Sequence, residues 1–251
     1  MGFFDLASPL LSVLDGLLGF IPPSFRIVVW GVISSALTMF VYWWSSPQEK
    51  IGDIRDKAVA ARKKLIGYDG DEFDEYIKIA TDVLKMSGKH FLVVTGPAII
   101  GGLPVLFVIV WMSNVYGYQF PAIGTSVALN AYPDATQVQW PADSVATEDG
   151  SRSFDWPAAP IALSDTSGNL LTTIPMAAAI PVIEQRYWWN SLLGNPSGYL
   201  DAATSVQTIT IDIPPQTFFE IGPSWLHGWE APYFIVLVAF SIAIKIRFKI
   251  N

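Results

Sequence analysis

The stretch IVVWGVISSALTMFVYWW, residues 27 to 44, decides the fold of this chain. It contains 18 residues and no charged side chain. As a helix it would be about 27 Å long, close to the thickness of the hydrocarbon core of a bilayer. The run ends in Tyr42, Trp43 and Trp44, and such aromatic residues are typical of a membrane–water interface. It therefore predicts a first transmembrane helix, which with its flanks covers residues 24–46.

A charged segment, residues 47–90, follows this helix. It carries nine of the 15 Lys and Arg residues of the chain, so the positive-inside rule predicts that it is cytoplasmic. On both sides of the turn Gly67-Tyr68-Asp69-Gly70, apolar residues recur at alternating spacings of three and four, which is typical of an antiparallel coiled-coil hairpin. These positions are Ile51, Ile54, Ala58, Ala61 and Leu65, then Phe73, Ile77, Ala80 and Leu84. Balanced charges indicate either a solvated, salt-bridged surface or a binding face for nascent chains or ribosomes.

Two further apolar runs complete the membrane part. Residues 91–116 would form a helix about 39 Å long, and its Gly96-Pro97, Gly101-Gly102 and Pro104 predict kinks or a close helix contact, with simple tilt as the alternative. Residues 231–251 predict a third transmembrane helix. Its apolar part is short, and its basic tail is expected to snorkel to the cytoplasmic surface.

Residues 117–230 differ from both kinds of segment. Between Gly117 and Ala231 the chain has eleven carboxylates but only Arg152 and Arg186 as bases, which predicts an extracytoplasmic location and argues against nucleic-acid binding. The chain has no cysteine, so disulfides are excluded. Short β-type runs predict a β-rich domain. They are residues 123–129, 160–163, 170–174 and 206–213, with a hairpin turn at residues 165–169.

Other aromatic and amphipathic residues leave alternatives open. The tryptophans of this domain fit either packing in a core or near the membrane, or contact with a partner. They are Trp140, Trp156, Trp188 and Trp189. Residues 1–23 have polar positions every three or four residues opposite a wide leucine-rich face, up to Pro22-Pro23. They predict an amphipathic helix that lies flat in the outer interface or packs against the spans of a partner subunit.

The sequence contains no nucleophile elbow, P-loop, dinucleotide fingerprint or HExxH motif, so we expect a non-enzymatic protein without a cofactor. His227 and Glu230 are too few ligands to predict a metal site. The polar residues of the apolar runs serve either helix packing or a shallow hydrophilic groove for a client protein. These candidate groove residues are Arg26, Ser34, Ser35, Thr38, Thr95, Ser113, Asn114 and Ser241.

Several local stretches carry a resemblance to a known family. They are Val32 to Leu37 with Tyr42, Ser46 to Lys50, Met86 with Pro97, Pro104 and Trp111, Trp225-Leu226 with Gly228-Trp229, and Phe240 to Ile242. In these stretches and in its order of segments, the chain resembles the minimal three-span branch of the YidC-like membrane insertase superfamily, which includes archaeal YidC-like proteins and the core subunit of the ER membrane protein complex. It departs from that branch in two respects. Residues 117–230 replace a short amphipathic loop, and Arg26 lies at the edge of a span and not at mid-membrane.

The expected fold is an α-helical integral membrane protein with three transmembrane helices, a cytoplasmic coiled-coil hairpin and a β-rich extracytoplasmic domain. The resemblance implies a protein that aids the insertion or assembly of membrane proteins. Its expected partners are membrane lipids and other integral membrane proteins, with a multi-pass location in the cell membrane. The alternative is a structural or accessory subunit of a large photosynthetic or respiratory membrane complex built on the same scaffold. A solute-binding or sensor domain is a third possibility.

Overall fold

The structure, a computed structural model, describes residues 1–147 and 150–250. Glu148 and Asp149, two of the eleven carboxylates counted above, and Asn251 lie outside the described residues. Three of the helices are long and apolar enough to cross a membrane, which indicates a membrane-embedded protein. They are α2 (Pro23–Ser45), α4 (Phe73–Tyr116) and α5 (Glu230–Phe248), in addition to α1 (Ser8–Leu17) and α3 (Gln48–Ile66).

The chain divides into two compact units. The first, which we call the β-sheet unit, comprises residues Met1–Ile27 and Phe107–Pro232, and the second, the helical unit, comprises residues Val28–Leu106 and Tyr233–Asn251. The β-sheet unit therefore includes α1, the first residues of α2 and the last ten residues of α4. The helical unit contains most of the three apolar helices, together with α3.

In the helical unit, α2 contacts both other apolar helices through glycines. A Cβ atom on Gly31 would lie 2.8 Å from Cγ1 of Val236 in α5, and one on Gly101 of α4 would lie 3.1 Å from Cβ of Tyr42. Small residues allow such close approach between membrane helices. The glycine pair 101–102 thus marks a close helix contact, as its sequence predicts, whereas a Cβ on Gly102 would meet open space.

The charged segment folds as two helices around residues 67–72, but its second helix does not end at His90. It continues through Pro97 and Pro104 as a single helix, α4, of 44 residues. In α3 the predicted seam residues Ile51 and Ala58 are buried. In α4 the predicted seam is wrong, because Phe73 and Leu84 are more than 70% exposed while Ile79 is buried. The spacing rule selected the wrong face because several faces of this segment carry apolar residues.

Among its described residues, the β-sheet unit has eight strands in two antiparallel sheets around one core. The five-stranded sheet has the order β3-β4-β1-β8-β7 and the three-stranded sheet the order β2-β5-β6. The strands are β1 (Ser126–Tyr132), β2 (Val138–Gln139), β3 (Val145–Ala146), β4 (Arg152–Asp155), β5 (Ile161–Asp165), β6 (Leu170–Ile174), β7 (Val182–Glu184) and β8 (Thr208–Ile211). The alternating isoleucines of β8 face the core, where Ile209 and Ile211 are buried and Leu129 of β1 pairs with Ile211.

The tryptophans of this unit have different environments. Trp156 is buried in the core and Trp140 packs at its edge, where Nε1 donates to the carbonyl of Ala135. Trp188, in contrast, is 82% exposed and Trp189 is partly exposed. The core interpretation therefore holds for the first two residues only.

Helix α1 turns its polar face toward the protein and leaves its apolar face exposed. Asp5, just before the helix, and Asp15 are buried, while Leu6, Leu10 and Leu17 are each more than 60% exposed. A water-soluble protein would arrange these faces in the opposite way. The exposed leucine face is therefore suited to a nonaqueous environment.

Candidate functional site

Ser34 and Ser35, two of the candidate groove residues, lie in the contact between α2 and α5. Tyr233 Oη donates a hydrogen bond of 3.0 Å to Ser34 Oγ. Ser35 Oγ lies 2.7 Å from the carbonyl oxygen of Gly31 and 2.9 Å from that of Leu237. Both serines are buried, so their hydroxyls bind a neighbouring helix and do not face an open groove.

The other groove candidates of the helical unit lie in different surroundings. Thr95 Oγ1 donates to the carbonyl oxygen of Phe91, 2.7 Å away, and lines a wide cleft of about 780 Å³ that also includes Arg62 and His90. Thr38 Oγ1 is buried and has no hydrogen-bond partner among the described residues. Ser241 of α5 is half-buried.

Arg26, one of the three candidates of the β-sheet unit, belongs to a polar cluster beside the end of α4. Arg26 Nη1 lies 2.5 Å from Asp15 Oδ2, and Tyr116 Oη donates to Asp15 Oδ1 at 2.6 Å. The guanidinium of Arg26 also lies over the ring of Tyr116. Asn114 lines a cavity of about 230 Å³, whereas Ser113 is exposed. Because Asp15 is buried, this ion pair holds α1 in place, and removal of Arg26 would leave an uncompensated buried charge.

Within each unit the predicted groove residues have separate surroundings. In the helical unit, Ser34 and Ser35 lie in the contact between α2 and α5, while Thr95 lines the cleft beside α3. In the β-sheet unit, Arg26 belongs to the cluster around Asp15, while Asn114 lines a cavity. The sequence leaves helix packing and a groove open for the polar residues of the spans, because position along a helix gives depth in the membrane but not the facing partner. The sequence gives no signal for Asp15 of α1 beyond its position on the polar face of the helix, and therefore does not predict its contacts with Arg26 and Tyr116.

A cleft that the sequence did not predict lies between α2 and α5. It has a volume of about 570 Å³ and a mainly apolar lining. Its walls are Ala36, Met39, Phe40 and Trp43 of α2, with Ile244, Phe248 and Ile250 of α5 and its end. This size is within the range of small-ligand pockets. The lining suits an acyl chain or the apolar side chains of another helix.

The two histidines of the chain lie in different places. His227 Nε2 lies 3.1 Å from the carbonyl oxygen of Gly222, and His90 lines the cleft beside α3. Within residues 1–147 and 150–250, no three potential His, Cys, Asp or Glu ligands lie together.

Comparisons of the chain with protein-family models, with curated proteins and with solved structures found no match.

Proposed function

We propose that this chain is a non-enzymatic membrane protein that aids the insertion or assembly of other membrane proteins, on a scaffold similar to the minimal YidC-like insertases. The observation that carries the proposal is the apolar cleft between α2 and α5. A client helix in the bilayer can pack its side chains into an unfilled cleft between two helices, since van der Waals packing drives helix association there. This cleft lies between two helices that contact each other through small residues.

Further features support an open arrangement of the spans. In the most apolar stretch of each helix, a third of the residues of α2 are buried but only 6% of those of α5. Helix α2 therefore has contacts on both sides, while α5 presents most of its surface outward. An open arrangement suits a protein that binds clients in passing, because a closed bundle offers them no face.

The proposal includes the topology argued from the sequence. Residues 47–90 and the basic C-terminal tail are cytoplasmic, and residues 117–230 are extracytoplasmic. The cleft then lies toward the cytoplasmic ends of α2 and α5. The proposal also includes a hairpin of coiled-coil type, with Ile51 and Ala58 on the seam of α3 and Ile79, which lies outside the predicted seam, as the buried residue at the start of α4. The charged surface of this hairpin is available to a nascent chain or to a partner.

A second candidate is a structural or accessory subunit of a large membrane complex. The observation that favours it is the exposed apolar surface along α5, which includes Ile235, Val238 and Phe240. A permanently docked partner helix would cover this surface. In that case the cleft holds one fixed neighbour and not a series of clients.

Photo-crosslinking tests the proposal. A photoreactive amino acid replaces Phe40 or Phe248 in the cleft, and the matched control carries it at Ile246, an exposed residue of α5 that does not line the cleft. We expect the cleft positions to capture many newly made membrane proteins and the control position to capture few.

The result also separates the two candidates. Capture of one stoichiometric partner at the cleft supports the accessory subunit, whereas no protein capture above the Ile246 control contradicts the insertion role.

A further inference from the structure

The exposed aromatic loop of the β-sheet unit has the features of a membrane-embedded element. We call residues 187–194 the aromatic loop. Trp188 is 82% exposed, and Tyr187, Leu192 and Leu193 are each more than 40% exposed. Such a group of apolar side chains in one short loop marks a contact with another apolar phase.

The loop lies beside α4 and not beyond its end. The amide of Phe4 donates to the carbonyl oxygen of Leu192 at 3.0 Å, and the rings of Phe3 and Phe4 contact Phe107 of α4. Phe107 precedes the end of this helix at Tyr116 by nine residues, about 13 Å along the axis. It also belongs to the uncharged apolar run of α4. The N-terminal residues connect the aromatic loop to this level of the helix.

Contacts along α1 continue this course along α4, toward its end at Tyr116. Ser12 Oγ accepts from Trp111 Nε1 at 2.9 Å, and Asp15 Oδ1 accepts from Tyr116 Oη, farther along both helices. Residues 3–15 thus run along the last turns of α4, which differs from the flat interfacial helix that the sequence predicts. The polar face of α1 binds Trp111 and Tyr116 of α4, and these bonds explain why the helix follows α4. The exposed leucines of α1 and the aromatic loop belong to adjoining segments, joined through Phe4 and Leu192.

Hydrogen bonds within the aromatic loop satisfy several of its backbone polar groups. Asn190 is 98% buried, and its side chain accepts from the amide of Tyr187 at 2.6 Å and donates to the carbonyl of Leu193. The hydroxyl of Ser191 donates to the carbonyl oxygen of Trp188, and the amide of Leu192 donates to that of Trp189. Irregular backbone enters a bilayer only where such groups are satisfied. The bonds named here meet that requirement in part, and at the interfacial level of a bilayer, where Trp and Tyr residues are enriched, water can bind the remaining groups.

Two charged residues adjacent to the loop have partners within the protein. Asp5 Oδ2 accepts from the amides of Gly2 and Gly194, at 2.7 and 2.8 Å, and so attaches the loop to the N-terminal segment. Arg186 stacks on the ring of Tyr199. Neither α1 nor the loop carries a basic residue, so attraction to anionic lipid is not required.

From these observations we propose that the aromatic loop inserts into the lipid bilayer beside α4, and that Asp5 and Gly194 hold it there. The occupant of this surface is lipid, because the surface is continuous with α1 and adjacent to a span. This adds an anchor of the β-sheet unit that is independent of the three apolar helices.

The chain has no cysteine, so single labelling sites can be introduced without background. A nitroxide spin label is attached to Trp188→Cys in the full chain, reconstituted alone in phosphatidylcholine vesicles. The matched control is Val145→Cys, on an exposed apolar residue of β3 in the same unit. We expect collisions with oxygen and loss of collisions with a water-soluble nickel complex at position 188, and the reverse at position 145. Addition of phosphatidylglycerol should leave both results unchanged.

The proposal is overturned if the label at position 188 collides with the nickel complex as readily as the label at position 145. A label at Leu192→Cys repeats the test with Trp188 intact. Gly194→Ala tests the attachment, because its Cβ would meet the Asp5 carboxylate and the Gly2 amide. We expect it to restore nickel collisions at position 188. Gly16→Ala, whose Cβ meets open space, should not. An unchanged signal in Gly194→Ala contradicts the role of Asp5.

Discussion

Isoleucine side chains have opposite surroundings in the two units, as Ile209 and Ile235 show. Ile209 of β8 is fully buried in the core of the β-sheet unit, whereas Ile235 of α5 is 56% exposed. In the β-sheet unit, apolar side chains leave water by packing on one another. In the helical unit most of them point outward, and the membrane supplies their apolar surroundings. A hydropathy value does not distinguish these two solutions.

The comparison predicts unequal costs for the same truncation. Ile209→Ala leaves a cavity in a packed core and should lower the free energy of unfolding by about 2–5 kcal/mol. Ile235→Ala removes the same atoms from a surface that contacts lipid and should cost less than about 1 kcal/mol. Urea denaturation of the full chain in detergent, followed by near-ultraviolet circular dichroism, measures both. Equal losses would show that α5 is covered by protein and would end the contrast.

Close packing inside the helical unit depends on a few glycines, and this sharpens the comparison. Gly31→Ala forces a Cβ against Val236 and should destabilise the α2–α5 contact by about 1–3 kcal/mol. Gly102→Ala places its Cβ in open space and should be neutral or stabilising, since alanine favours a helix by up to about 1 kcal/mol. Thermal denaturation in one detergent, followed by far-ultraviolet circular dichroism, compares them. A loss of the same size in both variants would mean that the Gly31 contact contributes nothing.

The smallest effect that we predict concerns acid stability, which should involve the β-sheet unit. Asp165 accepts hydrogen bonds from the Asn169 side chain and from the amides of Asn169 and Ser167, and these bonds lower the pKa of its carboxyl group below the usual 3.8. A carboxyl group whose pKa is lower in the folded than in the unfolded protein stabilises the fold at pH values above its unfolded pKa. This contribution is lost as the pH falls from about 4 through the pKa that the group has in the folded protein.

Asp165→Asn should therefore weaken the fall in stability below about pH 4. Denaturant midpoints measured across this pH range test the change, with Asp212→Asn as the control at an exposed carboxylate of the same unit. An unchanged pH profile in Asp165→Asn would contradict the assignment.

Sequence periodicity predicted those elements of this fold whose pattern is complete within one short segment. The first apolar run coincides with α2. The predicted runs at residues 160–163 and 170–174 lie in β5 and β6, which pair on either side of the predicted turn at residues 165–169. In β8 the alternation of isoleucine and threonine correctly indicated which residues face the core. Each of these predictions uses local geometry that the sequence alone determines.

Other features depend on partners far away in the chain. Strands such as Val145–Ala146 are too short to show a periodicity. Asp15 looks like part of a solvated helix face until Arg26 and Tyr116 are brought to it. Ser34 could equally serve packing or a groove until Tyr233 of α5 fills the position opposite to it. Only the fold decides which neighbour each polar group receives.

The attachment of Asp5 to Gly194 sets an order for the biogenesis of this protein. The two residues are separated by 189 positions. At a typical rate of synthesis, on the order of 10 to 40 s pass between the appearance of the first and that of the second. Throughout that interval the carboxylate of Asp5 lacks the Gly194 amide that it binds in the finished protein. Closure of this bond is therefore a late event of maturation, and protection of the Gly194 amide from hydrogen exchange would report that assembly is complete.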